Sequence, residues 1–173
     1  VTDLATGAYE FKLLLPLDHS APVSPVTSDE DDIPLSFGYT VKDDDGSTAT
    51  GSLGITIDDD SPTVDLLPNI GASVVEGATY NGTWSSGYGA DGAGSTKVLV
   101  GANEYDLNTD IALASGTLRV NSDGTWRFQA ANGLDQDVVN SQSFSVRVRD
   151  YDQDTVTDNI TIAITDAATP TGG

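Results

Sequence analysis

Apolar residues alternate with small or polar residues in several stretches of the chain. Residues 37–42 are Phe-Gly-Tyr-Thr-Val-Lys, and residues 53–57 are Leu-Gly-Ile-Thr-Ile. A period of two places every second side chain on the same side, which is the pattern of a β-strand with one buried face. No stretch has a convincing helical period, and residues 69–75 and 108–113 leave room for a single helical turn at most. The pattern therefore predicts an all-β chain.

The same alternation returns later in the chain as part of an internal repeat. Residues 144–150, Phe-Ser-Val-Arg-Val-Arg-Asp, match residues 37–43. Residues 124–128, Gly-Thr-Trp-Arg-Phe, match residues 7–11. Between these matched stretches, the first copy carries ten more loop residues than the second. They include the acidic run 28–32, which we expect to be a solvated loop.

Residues 61–118 occur once, between the two copies of the repeat. We call them the front half of a unit and the repeated material its back half. The sequence Asp58-Asp59-Asp60-Ser61-Pro62 marks a boundary, because proline lacks an N–H and cannot continue a central strand. We therefore divide the chain into a partial unit at 1–60, which holds a back half, and a complete unit at 61–173.

Methionine is absent from the chain, including position 1, which predicts that the chain is a fragment of a longer polypeptide. The front half of the first unit would then lie upstream, or an inserted domain would interrupt the unit.

The composition is strongly acidic, with 7 Lys and Arg against 27 Asp and Glu and a net charge of −20. This charge argues against nucleic acid and anionic membrane surfaces as partners, since both attract cationic side chains. It favours neutralisation by divalent cations. The absence of cysteine excludes disulfides, thiol catalysis and cysteine zinc sites. No apolar run approaches the ~18 residues of a membrane span, so we expect no membrane insertion.

Carboxylates concentrate in two equivalent loops and at the boundary between the units. In residues 43–47 and 150–154, acidic side chains two positions apart point the same way. Calcium binds six to eight oxygens and suits such groups. Three consecutive aspartates at 58–60 could bind an ion that stiffens the junction. The predicted ligands are Asp43, Asp45, Asp58, Asp59, Asp60, Glu76, Asp91, Asp150, Asp152, Asp154 and Asp166. The alternatives are solvated acidic turns, a flexible acidic linker and, for Asp91, a turn role.

Catalytic signals are weak. His19 is the single histidine, so histidine-dependent triads and zinc sites have no second partner. No glycine-rich phosphate loop precedes a helix, and no carboxylate has an apolar setting that would suit glycoside hydrolysis. We therefore expect no enzyme activity. Tyr80, Trp84 and Tyr88 could form a stacking surface for sugar, but we favour packing in the core or at its edge. Trp126 alternates with a phenylalanine and is assigned to the core.

The pattern Gly-x-Tyr-x-Phe, followed by Phe-x-Tyr-x-Val-x-Asp-x-Asp-Gly-x-Thr-Ala-Thr-Gly-x-Leu-x-Ile-x-Ile-Asp-Asp-Asp-x-Pro, resembles the β-sandwich repeats of giant type I-secreted RTX adhesins of Gram-negative bacteria. The resemblance covers about residues 7–170. It implies Ig- or cadherin-like antiparallel β-sandwich units that bind Ca²⁺ near domain junctions. Gln153 and Ser47 depart from the glycine and aspartate that are usual in this family.

The resemblance also implies a function and a location. Such repeats form a scaffold or extender at the bacterial cell surface, which positions ligand-binding modules for cell adhesion and biofilm formation. The expected partners are neighbouring domains of the same adhesin, with an inserted sugar-binding module as a further one, and we expect a monomer. The alternative is that the chain is itself a module that binds a sugar or a peptide.

Overall fold

The structure is a computed structural model that describes residues 7–14, 32–58, 60–68, 71–90, 92–135, 137–151 and 153–167. These residues form β-strands and contain no helix, as the alternation predicted. The strands are β1 (Ile33–Lys42), β2 (Thr48–Ile57), β3 (Thr63–Leu67), β4 (Ala72–Val75), β5 (Thr79–Gly87), β6 (Ala93–Val100), β7 (Asn103–Tyr105), β8 (Asp110–Leu113), β9 (Gly116–Val120), β10 (Thr125–Ala130), β11 (Ser141–Asp150) and β12 (Thr155–Thr165). No long apolar helix that could cross a membrane occurs in this part of the chain.

Strands β3 to β12 form two five-stranded sheets, in the orders β3-β5-β10-β9-β8 and β4-β12-β11-β6-β7. Neighbouring strands are antiparallel except for β4, which pairs in parallel with β12. Alternating apolar side chains from both sheets meet in one core. The rings of Trp126 and Phe144, one from each sheet, lie 5.2 Å apart edge to face. This part of the chain, the sandwich unit, has the predicted β-sandwich fold.

Strands β1 and β2 form a separate two-stranded sheet, the first hairpin. Its register repeats that of β11 and β12. Phe37 lies opposite Leu53, and the equivalent Phe144 lies opposite the equivalent Ile160. The internal repeat of the sequence therefore extends to the pairing of individual residues. The division into units at 1–60 and 61–173 stays a prediction.

The two equivalent hairpins differ in what covers their apolar face. Phe144 and Val148 in β11 are 2% and 0% exposed, because the sheet that contains β10 covers them. The equivalent Phe37 and Val41 in β1 are 46% and 59% exposed. Alternation thus indicates which face of a strand is apolar, whereas burial depends on the partner sheet.

Three local details differ from the sequence pattern. The segments 72–75 and 110–113, where a helical turn was allowed, belong to strands β4 and β8 at the sheet edges. Strand β6 includes residues 93–96, Ala-Gly-Ser-Thr, which show no apolar alternation in the sequence. Residues 7–11 match residues 124–128, most of which belong to β10, but they are not part of a strand. Strand β10 has hydrogen-bonded neighbours on both sides, β5 and β9.

Candidate metal centre

The loop between β11 and β12 contains two buried carboxylates. Asp150 is 1% exposed and Asp154 is 3% exposed. The backbone N–H of Asp150 donates to the carbonyl of Asp154 at 3.2 Å, and the N–H of Gln153 donates to Oδ1 of Asp150 at 3.1 Å. The backbones of Asp150 and Asp154 are therefore neighbours where the loop closes. Burial of two like charges is unfavourable unless a cation or a proton compensates it.

Strand β6 forms one wall beside this loop. Gly94 lets the β6 backbone approach so closely that an added methyl group would overlap the carbonyl of Asp150. The register shifts between Arg149 and Asp150, as in a β-bulge. Just beyond, the N–H of Tyr151 donates to the carbonyl of Gly92 at 3.1 Å. Bulges are common beside functional sites, where they redirect a side chain.

The junction between the units reaches the same end of the sandwich unit. Oδ2 of Asp60 accepts a hydrogen bond from the N–H of Ala90 at 2.7 Å. Ala90 and Gly92 belong to the loop between β5 and β6, which also contacts Tyr151. The loop between β5 and β6 therefore contacts Asp60 and also Tyr151, which follows Asp150 directly. Asp58 is exposed and precedes this contact by two residues.

Three predicted ligands, Asp59, Asp91 and Asp152, lie outside the described residues. Within the ranges that the structure describes, no group of three or more His, Cys, Asp or Glu side chains could hold a metal ion. Asp91 lies in the sequence between Ala90 and Gly92, and Asp152 lies between Asp150 and Asp154. The ligand assignments at this end of the sandwich unit stay predictions.

Glu76 and Asp166 lie at the opposite end of the sandwich unit. The N–H of Glu76 donates to the carbonyl of Thr165 at 2.9 Å, and its Oε2 accepts from the N–H of Leu134 at 2.9 Å. The eleven residues of β12 separate Thr165 from Asp154, a span of roughly 35 Å at ~3.3 Å per residue. Glu76 therefore cannot share an ion with Asp154, and in this structure it anchors the loop that follows β10.

The loop of the first hairpin has the same closing bond as its equivalent, but it is exposed. The N–H of Asp43 donates to the carbonyl of Ser47 at 3.0 Å. The N–H of Ser47 donates to Oδ1 of Asp43 at 2.8 Å and to Oδ1 of Asp45 at 3.0 Å. The pKa of Asp45 is lowered from 3.8 to about 2, first by its side-chain hydrogen bond with Asp43 and then by the Ser47 hydroxyl and N–H. Asp43 and Asp45 thus bind backbone groups of their own turn.

Sequence reasoning missed one acidic residue of this unit. Asp158 in β12 lies opposite the fully buried Val146, so it occupies an inward position of the alternating pattern. Its Oδ2 accepts a hydrogen bond from the N–H of Leu66 in the facing sheet at 2.7 Å. The sequence does contain a signal for this residue: an aspartate stands where the alternation between Val156 and Ile160 predicts an apolar side chain. This contact joins the two sheets.

The aromatic residues considered for sugar stacking pack on the core, as favoured from the sequence. Trp84 is buried and donates its indole N–H to the carbonyl of Asn121 at 2.8 Å. Tyr80 stacks on Trp126 with ring centroids 5.7 Å apart. Tyr88 is partly buried, and its hydroxyl lies 2.7 Å from Oγ1 of Thr96.

No protein-family model and no curated protein match the chain. Similar solved structures include the cadherin chain PcdhgB3 EC1-4, with 16% identity and a TM-score of 0.36 over 78% of this chain and 32% of that chain. Another is Sidekick-1 immunoglobulin domains 1–5, with 9% identity and a TM-score of 0.39 over 80% of this chain and 36% of that chain. The chain thus spans about a third of each of these structures.

Proposed function

We propose that the chain is a calcium-stabilised scaffold segment of a secreted bacterial RTX adhesin, without catalytic activity. It spaces and orients ligand-binding modules of that adhesin for cell adhesion and biofilm formation. The observation that carries the proposal is the burial of Asp150 and Asp154 at the end of the sandwich unit. The junction residue Asp60 contacts the neighbouring loop at that same end.

Residues of this end have the chemistry that calcium requires. Asp150 and Asp154 supply carboxylate oxygens, and Asp60 brings a third carboxylate to the adjoining loop. Hard cations of this class prefer carboxylate, carbonyl and water oxygens, and they tolerate varied geometry. A bound ion supplies positive charge that offsets the burial of the two carboxylates. Binding would therefore be coupled to the folding of the loop.

The position of the site explains how it would act mechanically. Asp60 precedes β3 by three residues and follows β2 by three, so it belongs to the connection between the first hairpin and the sandwich unit. An ion that engages this connection and the loop 150–154 would restrict how the two parts move. The charge of −20 makes the chain self-repelling, and cations relieve that repulsion.

Calcium binding by the purified chain tests this proposal directly. We expect isothermal titration calorimetry to detect at least one calcium ion per chain. Asp150→Asn and Asp154→Asn should each weaken that binding by about tenfold or more, since even the loss of an outer-shell partner of a metal ligand costs about 10–100-fold in affinity. Asp137→Asn, which removes the same charge at an exposed position, is the matched control. A chain that binds no calcium, or equal binding by all variants, would contradict the proposal.

A second candidate function, sugar binding, is favoured by one feature of the outer surface. A groove of about 440 Å³ crosses β5 and β10 and is lined by Gly82, by Trp126 and by amide, hydroxyl and guanidinium side chains. Its polar side chains include those of Asn81, Thr125 and Arg127. Glycan-array binding that is lost in Arg127→Ala, but kept in Arg147→Ala on the other sheet, would support this second function. If the chain binds no glycan, the sugar-binding function is rejected and the scaffold function is kept.

A further inference from the structure

The first hairpin has a strand face whose side chains are as apolar as those of a protein core, yet they are largely exposed. Phe37, Tyr39 and Val41 project from β1 on one side and are 46%, 54% and 59% exposed. Phe37 and Tyr39, together with Tyr9 and Phe11, border a cleft of about 280 Å³ that continues onto β2. Contiguous exposed apolar surface of this kind marks an interaction site. We call it the hairpin face.

The sandwich unit shows what covers the equivalent face. Phe144, Val146 and Val148 are the counterparts of Phe37, Tyr39 and Val41 in the same strand register, and they are at most 2% exposed. The sheet β3-β5-β10-β9-β8 covers them. Apart from β10 and the last two residues of β9, the whole of that sheet comes from the front half of the unit.

A segment that corresponds to one strand of the covering sheet already lies against the first hairpin. Residues 7–11 match 124–128 of β10, and the ring of Phe11 lies 6.2 Å from the ring of Phe37. In the sandwich unit β10 likewise contacts Phe144, the equivalent of Phe37, although through Trp126, which is the equivalent of Tyr9 and lies two positions before that of Phe11. The segment 7–14 therefore lies on the same face as its equivalent. In the sandwich unit β10 is flanked by β5 and β9, both of which belong to the covering sheet.

We infer that the hairpin face is a docking surface for a second front half, a polypeptide of the same type as residues 61–118 of this chain. Docking would place strands beside the segment 7–14 and complete a second sandwich. A second copy of the chain offers no free front half, because each copy contains one, which is already packed on its own β11 and β12. The occupant must therefore be an additional front half. This inference is separate from the calcium proposal.

The inference can be tested with a chain that carries a second front half. Residues 61–123 are added directly before Gly7, in place of residues 1–6, which reproduces the natural link from Asp123 to Gly124. Hydrogen exchange is then followed by mass spectrometry in peptides from β1 and β2, with EGTA present so that calcium plays no part. We expect exchange in these strands to slow by about tenfold or more relative to the original chain, because covered strands open less often.

Two variants show whether the hairpin face itself is responsible. Tyr39→Asp places a charge on this face and should abolish the protection, whereas Thr40→Asp places it on the opposite face and should leave the protection intact. Unchanged exchange in β1 and β2 of the extended chain, with β11 still protected, would overturn the inference. It would equally be overturned if the original chain is a dimer in analytical ultracentrifugation and Tyr39→Asp makes it monomeric, since the occupant would then be a second copy.

Discussion

Gln153 and Gly46 share one backbone conformation, with φ angles of 98° and 97°. They occupy equivalent positions in the two acidic loops. Each loop is closed by the same bond, from the N–H of its first aspartate to the carbonyl of its fifth residue. The loop conformation is thus retained where glycine is replaced by a residue that rarely adopts positive φ. In this conformation the N–H of Gln153 donates to Oδ1 of Asp150, and its Oε1 accepts a hydrogen bond from Arg149.

Gln153→Gly should stabilise the sandwich unit. The substitution relieves a positive φ and loses one exposed hydrogen bond from Arg149 to Gln153 Oε1. We expect a net gain of about 1 kcal/mol in the free energy of unfolding by urea. Gln129→Gly, at an exposed position of β10, is the control and should destabilise by about 0.5–1 kcal/mol. A loss of stability in Gln153→Gly would show that its conformation is not strained.

Gly82→Ala should destabilise the sandwich unit severely. An added methyl group would overlap the indole of Trp126, which donates its N–H to the carbonyls of Leu67 and Thr83 at 3.1 and 3.2 Å. Overpacking of this kind costs about 1–3 kcal/mol. Gly71→Ala, where the methyl group meets no atom within 4 Å, should change the urea midpoint little. Equal midpoints for both variants would contradict the packing described for β5 and β10.

Equivalent phenylalanines in the two hairpins should differ in their effect on stability. Phe144→Ala removes a fully packed ring and should cost about 3–5 kcal/mol. Phe37→Ala removes a ring that is 46% exposed and should lower the free energy of unfolding by much less, about 1 kcal/mol or below. Thermal melts of the two variants distinguish these values. Similar losses would indicate that the first hairpin is covered in solution.

The acid titration of Asp45 should occur at unusually low pH. Its pKa in the folded loop, about 2, lies below the ordinary value of 3.8. The carboxylate therefore supports the loop fully above about pH 4, and this support is lost as the pH falls through 2. Carbon-13 detected NMR in EGTA can follow the Asp45 carboxyl group. Asp43→Ala removes the largest cause of the shift and should move the midpoint towards 3.8. A midpoint at the ordinary value in the unaltered chain would refute the loop geometry.

Much of the fold could be predicted from the sequence, because alternation and repetition are local properties. The repeat of 37–43 in 144–150 indicated equivalent strands, and the structure pairs them in one register. Strand β4 was not predicted, since its four residues gain their hydrogen bonds from β12, a parallel partner at the other end of the sandwich unit's sequence. Such pairing leaves no trace in the local pattern.

The candidate site could be predicted only in part. The two acidic loops have similar sequences, yet Asp150 is buried and Asp43 is exposed. The difference arises from β6, whose Gly94 approaches Asp150, and nothing in the motif itself encodes that neighbour. The contact of Asp60 with Ala90 likewise depends on tertiary structure. The separation of Glu76 from Asp154 follows from the direction of β12, which sequence spacing does not show.

The melting temperature of the chain in calcium and in EGTA tests the central claim most directly. A ligand at one hundred times its dissociation constant stabilises by about 2.7 kcal/mol, which corresponds to roughly 10 °C for a domain of about 100 residues. We expect a rise of this order in calcium for the unaltered chain, and none for a variant that combines Asp150→Asn with Asp154→Asn. The same melting temperature in calcium and in EGTA for the unaltered chain would contradict calcium stabilisation.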